Sequence, residues 1–328
     1  MSALRAALCA VVLATPLGAQ TTHVVIVTGA TGEAKYATSF HVAASGLFDA
    51  LVTTHGIARD AITYLAEDPA KDAARINGKS TKAEVTQAIA RVSSRARAGD
   101  RVLLVLIGHG SHAGTESRFN LPGPDLTAVE LGVMLEPLKS MQVAVVNTAS
   151  ASGDFLPVLS AKGRVVITAT KSSYERNETL FPRYFVAAFA TPGADTDKDE
   201  RVSLLEAFVY AKREVARAYE TDTRLPTEHA MLDDDGDRRG SAEPDPRAGD
   251  GGVARRFIVG ATRAPSSVAA STTASDTLVA QKSELETQLD SLRRRKDAMP
   301  TESYERELER LLVELARVSQ AIRDGRSP

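Results

Sequence analysis

The chain has 328 residues, 43% of them hydrophobic and 25% charged, with 40 Lys plus Arg against 42 Asp plus Glu and a net charge of -2. This composition excludes a disordered chain, and the near-balance of charge excludes a general nucleic-acid binder, which carries a basic excess. The one cysteine, Cys9, lies in an N-terminal apolar segment, so the rest of the chain offers no disulfide, no thiolate metal site and no thiol nucleophile.

Residues 1–19 read as a secretory signal. Arg5 precedes an apolar core from Ala6 to Ala14, Pro16 breaks the helix, and "LGA" before Gln20 resembles a cleavage site. The core is too short to span a bilayer. The expectation is an exported protein, secreted or periplasmic, with no transmembrane segment.

From residue 20 to 262 short β-branched runs alternate with helical stretches. "HVVIVTG" (23–29) reads as a first strand and Phe40–Thr54 as a helix, followed by a second strand "AITYLAE" (61–67). Ser80 is placed to cap a helix reaching Ala96, with Thr81 and Glu84 at capping-box spacing. "RVLLVLIGHG" (101–110), "QVAVVN" (142–147), "RVVITAT" (164–170) and "ARRFIVG" (254–260) complete six strands. Continuous apolar strands separated by helices predict an α/β domain, a mostly parallel six-stranded sheet covered on both faces. In such sheets, sites form at the carboxyl ends of strands. Two polar strings fall there: "GHGSH" after the third strand and "NTASASGD" after the fourth.

His109 between two glycines is held at an exposed strand end, where an imidazole can act as a general base. Ser150 sits among small residues just past the next strand. The order strand–"GHG"–strand–"ASASG"–strand–"ITAT" resembles the caspase-like fold of legumain-type cysteine peptidases. In that family the first apolar run ends in His-Gly and the second in Ala-Cys-Xaa-Ser-Gly. His109-Gly110 matches the first; Ala149 to Gly153 matches the second, with Ser150 in the seat of the nucleophilic cysteine. "VVITATKSSYERNETLFPRYFVAAF" (165–189) further resembles the family's substrate-pocket strand and following helix, putting Ser172 and Glu175 near the pocket. No Arg in "GATGEAKYATSFH" matches the pocket arginine of the family, and Glu175 reads first as a solvated loop charge paired with Arg176 or Lys171 and only second as a pocket acid.

The resemblance implies a peptidase site of His109, Ser150 and the Gly110 backbone. A thiol of pKa near 8.5 is partly ionised at neutral pH, whereas a serine hydroxyl needs a tightly bonded base held in turn by an acid. Asp154 and Asp125 are the candidate acids. The expected function is therefore a peptide- or protein-binding pseudopeptidase. The alternatives are an active hydrolase using Ser150 and His109, and an assembly module acting through the C-terminal segment.

"DTDKDERVSLLE" (195–206) has the spacing of an EF-hand calcium loop: Asp195, Asp197 and Asp199 at positions 1, 3 and 5, Arg201 at position 7, Ser203 at 9 and Glu206 at 12. Glu200 stands at position 6, where that loop favours Gly. No cofactor is required by the expected function, and Ca2+ is the candidate ion. "LDDDGDRRG" (232–240) reads as a solvated acidic turn. His109 and His112, without a third ligand or a cysteine, do not make a zinc site.

Residues 263–275 form a Ser/Thr/Ala-rich linker. Beyond it, 276–324 carries two amphipathic segments split by Pro300, with Leu278, Leu285, Leu289 and Leu292 in one stripe and Leu308, Leu311, Leu315, Val318 and Ile322 in the other. These spacings predict a helical hairpin or short coiled coil, either covering its own stripes or pairing with a second copy.

Overall fold

The computed structural model describes residues 20–114, 116–260 and 299–323, together with Leu278, Gln281, Lys282, Glu284, Leu285, Gln288, Leu289 and Leu292. The signal segment 1–19 and the linker 263–275 lie outside the described residues. Among the described residues no helix is long and apolar enough to cross a membrane.

The apolar runs form the centre of one seven-stranded sheet. Its strands are β1 (Thr22–Thr28), β2 (Ile62–Ala66), β3 (Gly78–Lys79), β4 (Arg101–Ile107), β8 (Gln142–Asn147), β9 (Val165–Thr168) and β10 (Met231–Asp233), in the order β10-β9-β8-β4-β1-β2-β3. All neighbours are parallel except β10 against β9. A second, three-stranded antiparallel sheet, β5 (Gly110–Ala113), β6 (Glu116–Phe119) and β7 (Leu126–Thr127), follows β4.

Alternate strand residues feed two cores. Val24, Ile26, Leu103, Val105 and Val146 face helices α1 (Ala34–Thr53), α5 (Phe181–Ala188) and α6 (Leu204–Thr221). Val25, Val27, Leu104, Leu106 and Val145 face α2 (Lys82–Arg95), α3 (Ala128–Leu135) and α4 (Phe155–Leu159). Burial on both faces is what the continuous apolar runs require.

Three expectations are corrected. The sheet has seven strands rather than six, and "ARRFIVG" is not one of them. Gly252–Arg256 is a short helix, α7, because the buried Asp234 carboxylate accepts the N–H groups of Gly251, Val253 and Ala254 at 2.7–2.9 Å. Only Ile258 makes a bridge, to Ser203. The antiparallel edge comes instead from Met231–Asp233. In the acidic run after it, Asp233 and Asp234 are buried while Asp235 and residues 237–239 form an exposed turn, so the solvated reading holds for the turn and fails only for its first two aspartates. Lastly, the cap of α2 is Thr81, whose hydroxyl accepts the Glu84 N–H, while the Ser80 Oγ is buried and unbonded.

In the C-terminal arm, Thr301–Arg323 forms helix α8. Leu278, Leu285, Leu289 and Leu292 are buried in one apolar cluster with Leu311 and Val318. The two predicted stripes cover each other.

Candidate functional site

β4 and β8 are sheet neighbours in register, Leu106 opposite Asn147, so the loops leaving them emerge side by side. Asn147 turns the second loop out of the strand, its Oδ1 accepting the Ala149 N–H at 3.1 Å. The loops then touch through their backbones. A Cβ on Gly110 would fall 2.2 Å from the Ser150 carbonyl oxygen, so a residue without a side chain is required there. The Gly110 N–H donates to Ser150 Oγ over a long 3.4 Å. Ala151, next in the chain, has the left-handed φ of 52° and donates its N–H to the Glu175 carbonyl at 2.7 Å. Gly153 is pressed equally hard against the backbone of Lys171 and Ser172, and its N–H reaches Thr170 Oγ1 at 2.9 Å. The Ser150 loop is thus held on both sides by backbone contacts.

His109 and Ser150 come together as neighbouring loops, but not as a bonded pair. Among the described residues no hydrogen bond links the imidazole to Ser150 Oγ, and Ser150 is 3% exposed. The His109 ring instead meets Tyr36 and Phe40 of α1 edge-on, at centroid distances of 4.3 and 5.1 Å. Burial in this aromatic setting pushes the His109 pKa below its ordinary value, against the opposing pull of Glu178 and Glu33. The neutral imidazole is the favoured form.

The candidate acids do not serve His109. Asp125 accepts the Leu121 N–H at 3.1 Å. Asp154 lies 3.5 Å from His112 Nδ1 and accepts the Ser117 hydroxyl at 3.4 Å; Ser117 also meets His112 Nδ1 at 3.1 Å. This His112–Ser117–Asp154 group is built on the small sheet. No spacing signal in the sequence announces it, because it depends on β5 pairing with β6.

The two pocket residues taken from the resemblance are otherwise engaged. Glu175 accepts the backbone N–H of Lys171 at 3.0 Å and of His229 at 3.1 Å, and its other oxygen meets His229 Nδ1 at 2.5 Å. It is a clamp between the loop after β9 and the segment leading into β10, rather than a carboxylate open to a ligand. The Ser172 hydroxyl accepts the Tyr174 N–H at 3.4 Å within its own turn. The cavity nearest His109, about 140 Å³, includes neither. It is lined by Phe40, Ala43, His109, Glu178, Leu180 and Arg183, among others. Ser39, Phe40 and Ala43 of α1 form one wall, Phe40 and Ala43 at a three-residue spacing that the sequence carries within its predicted helix.

The acidic loop folds back onto the start of α6. Ser203 caps α6 and forms a capping box with Glu206. Glu206 Oε1 reaches back to the Thr196 N–H at 2.9 Å, closing the loop. Lys198 and Glu200 adopt left-handed φ values of 59° and 63°, at the fourth and sixth positions. Carboxylate oxygens of Asp195, Asp197 and Asp199 lie within 4.8 Å of one another, close enough for one ion. Asp233, Asp235 and Asp237 make a second such group.

No family model matches the chain, and no curated protein matches it. Among solved structures, the crystal structure of protein GSU0716 from Geobacter sulfurreducens aligns over 69% of this chain and 95% of that chain, at 14% identity and a TM-score of 0.43. A likeness so loose informs neither mechanism nor substrate.

Proposed function

We propose that this chain is an exported relative of legumain-type, caspase-fold cysteine peptidases in which a hydroxyl has replaced the thiol, and that it binds a peptide or protein segment without cleaving it. The observation that carries this reading is the environment of Ser150. Its Oγ accepts one long bond from the Gly110 N–H, and the neutral His109 ring packs on Tyr36 and Phe40 instead of meeting it. A serine nucleophile needs a bonded base oriented by an acid, and both candidate acids are committed elsewhere. What remains suits recognition: a rigid loop pair beside an apolar-walled cavity with Arg183 and Glu178 in its lining. The acidic loop 195–206 takes Ca2+ through Asp195, Asp197, Asp199, the Arg201 carbonyl and Glu206, a set of hard oxygen donors suited to that ion.

One observation favours the rival reading, a serine hydrolase. The Gly110 N–H makes only one long bond, to the Ser150 hydroxyl, and so stays available to a developing oxyanion beside it.

The discriminating experiment uses the mature protein against a mixed peptide library, beside Ser150→Ala, His109→Ala and Ser150→Cys. The expected result is no cleavage by the wild type and a gain of cleavage in Ser150→Cys, because a thiolate needs less help from a base. Wild-type cleavage that vanishes in both alanine variants establishes the hydrolase instead. A silent Ser150→Cys with its fold intact removes the peptidase ancestry.

A further inference from the structure

The first residue of β4 carries a charge that the residues around it do not offset. Arg101 shares the strand face of Leu103 and Val105, the face covered by α1, α5 and α6. Two of its guanidinium nitrogens, Nε and Nη1, are buried without a hydrogen-bond partner. Among the described residues no carboxylate pairs with it. Asp100, its neighbour in the chain, points to the other face, and its oxygens accept the N–H groups of Thr21 at 3.0 Å and Arg97 at 2.8 Å.

The nearest charge is of the same sign. Thr22, in register with Arg101, donates its hydroxyl to the Gly260 carbonyl at 2.9 Å, and the Val259 N–H donates to the Val202 carbonyl at 3.2 Å. These contacts bring Arg201 to the start of β4. Burial, and after it the Arg201 charge, push the Arg101 pKa down to about 10. The Arg201 charge also adds to the burial that lowers His55. Arg201 itself has the Asp199 carboxylate in its field; Arg101 has no such acid. A lysine or a carboxyl in this setting would turn neutral, but a guanidinium keeps its proton. Its charge is stable only with an anion beside it. Nη2, the one nitrogen outside the buried set, is the route to solvent. Gln142 of β8, exposed and directly opposite Arg101 in the register, adds an amide donor at the rim.

We propose that Arg101 and Arg201, with Gln142 at the rim, form a binding site for a tetrahedral dianion of the phosphate class at the amino end of the sheet. The site lies at the end of β4 opposite His109 and stands independently of the Ser150 loops. Guanidinium forks match phosphate oxygens two at a time. A dianion meets both positive charges, whereas a carboxylate leaves one of them unmatched.

The test is calorimetric titration and thermal unfolding of the full mature chain with inorganic phosphate, glycerol phosphate and acetate, each against chloride at matched ionic strength. Arg101→Met, Arg101→Lys and Arg201→Gln are measured beside it. The wild type should bind phosphate at one site, and its thermal midpoint should rise by about 5–10 °C at a hundredfold excess over the dissociation constant. Acetate should leave the midpoint near its value in chloride. Arg101→Met, which fills similar space without the charge, should melt at or above wild type in chloride and ignore phosphate. Arg101→Lys, which keeps the charge without the fork, and Arg201→Gln should each bind about tenfold more weakly. Tighter binding of glycerol phosphate supports the proposal with a phosphorylated group of a larger molecule as the ligand; equal or weaker binding supports it with the free ion. A wild-type midpoint that phosphate moves no further than chloride, a phosphate response that survives in Arg101→Met, or acetate as effective as phosphate overturns it. Arg101→Met melting well below wild type in chloride overturns it too, since the guanidinium would then already be compensated within the chain.

Discussion

The apposition of the His109 and Ser150 loops is tested most directly by Gly110→Ala. The new Cβ would lie 2.2 Å from the Ser150 carbonyl oxygen and 3.1 Å from the Arg118 carbonyl oxygen, where ordinary contact begins at 3.4 Å. Relief requires about 1.2 Å of movement between Gly110 and Ser150. Both obstacles are backbone, so no rotamer change supplies it. Gly110 has no left-handed φ, which leaves close approach, and not conformational freedom, as the reason for glycine. Overpacking a fixed site costs ~1–3 kcal/mol; the upper end applies where only backbone can yield. At about 2–4 °C per kcal/mol for a domain of this size, the thermal midpoint should fall by roughly 6–12 °C.

Gly132→Ala is the matched control. It lies within α3, where the nearest atom to a new Cβ is Leu159 Cδ2 at 3.8 Å. Replacing a helical glycine without a clash should raise stability by ~0.5–1 kcal/mol. Differential scanning calorimetry of the two variants beside wild type decides the matter. A Gly110→Ala midpoint within about 2 °C of wild type, with Gly132→Ala behaving as stated, would refute the contact and with it the juxtaposition on which the proposed site depends.

Three further outcomes follow from the geometry. Burial raises the Asp250 carboxyl to about 6, so the stability it allows is complete below an unfolded pKa near 3.9 and is lost as pH climbs through about 6. Asp250→Asn, which keeps an oxygen for the Asp234 N–H, should match wild type at pH 4 and exceed it at pH 8 by about 1–2 kcal/mol after screening by solvent; an advantage that is equal at both pH values contradicts this. His109, lowered by burial, should titrate below 6.5 in an NMR pH series, and folding stability should decline as pH falls from 6.5 through that midpoint; a midpoint at or above 6.5 removes the aromatic, desolvated setting. Glu200→Gly should raise unfolding stability by about 0.5–1 kcal/mol by relieving the left-handed φ, and a loss of stability in chemical denaturation would argue against that turn.

The central sheet was legible because β1, β4 and β8 are buried on both faces, and such strands leave continuous β-branched runs in the sequence. The edges were not. β3 has two residues and β10 three, too few for any periodicity. The run "FIVG" looked like a strand because Phe257 and Val259 are buried, but Asp234, 17 to 20 residues before the N–H groups it captures, forces a helical turn just ahead of them. The placement of His109 beside Ser150 followed from adjacency of two strand ends, a property of topology. What side chains do at those ends depends on partners the sequence does not align. Glu175 is claimed by His229, 54 residues on, and Asp154 by His112 on a small sheet whose strands are four residues or fewer.

The loops around Ser150 are fixed by backbone contacts: Gly110 on the Ser150 carbonyl, Ala151 on Glu175, Gly153 on Lys171 and Ser172. Such contacts hold their geometry whatever atom sits at the tip of residue 150. Proton transfer is different, because it needs the imidazole within bonding reach of the nucleophile, and here α1 holds that ring through Tyr36 and Phe40. Under the proposed reading, exchange of sulfur for oxygen would remove turnover without disturbing the framework around residue 150. For the same reason a returned thiol, which ionises with little assistance, would find its surroundings intact. The shape of the Ser150 loops and any proton transfer at residue 150 thus rest on separate sets of residues: backbone contacts for the first, the ring contacts of His109 for the second.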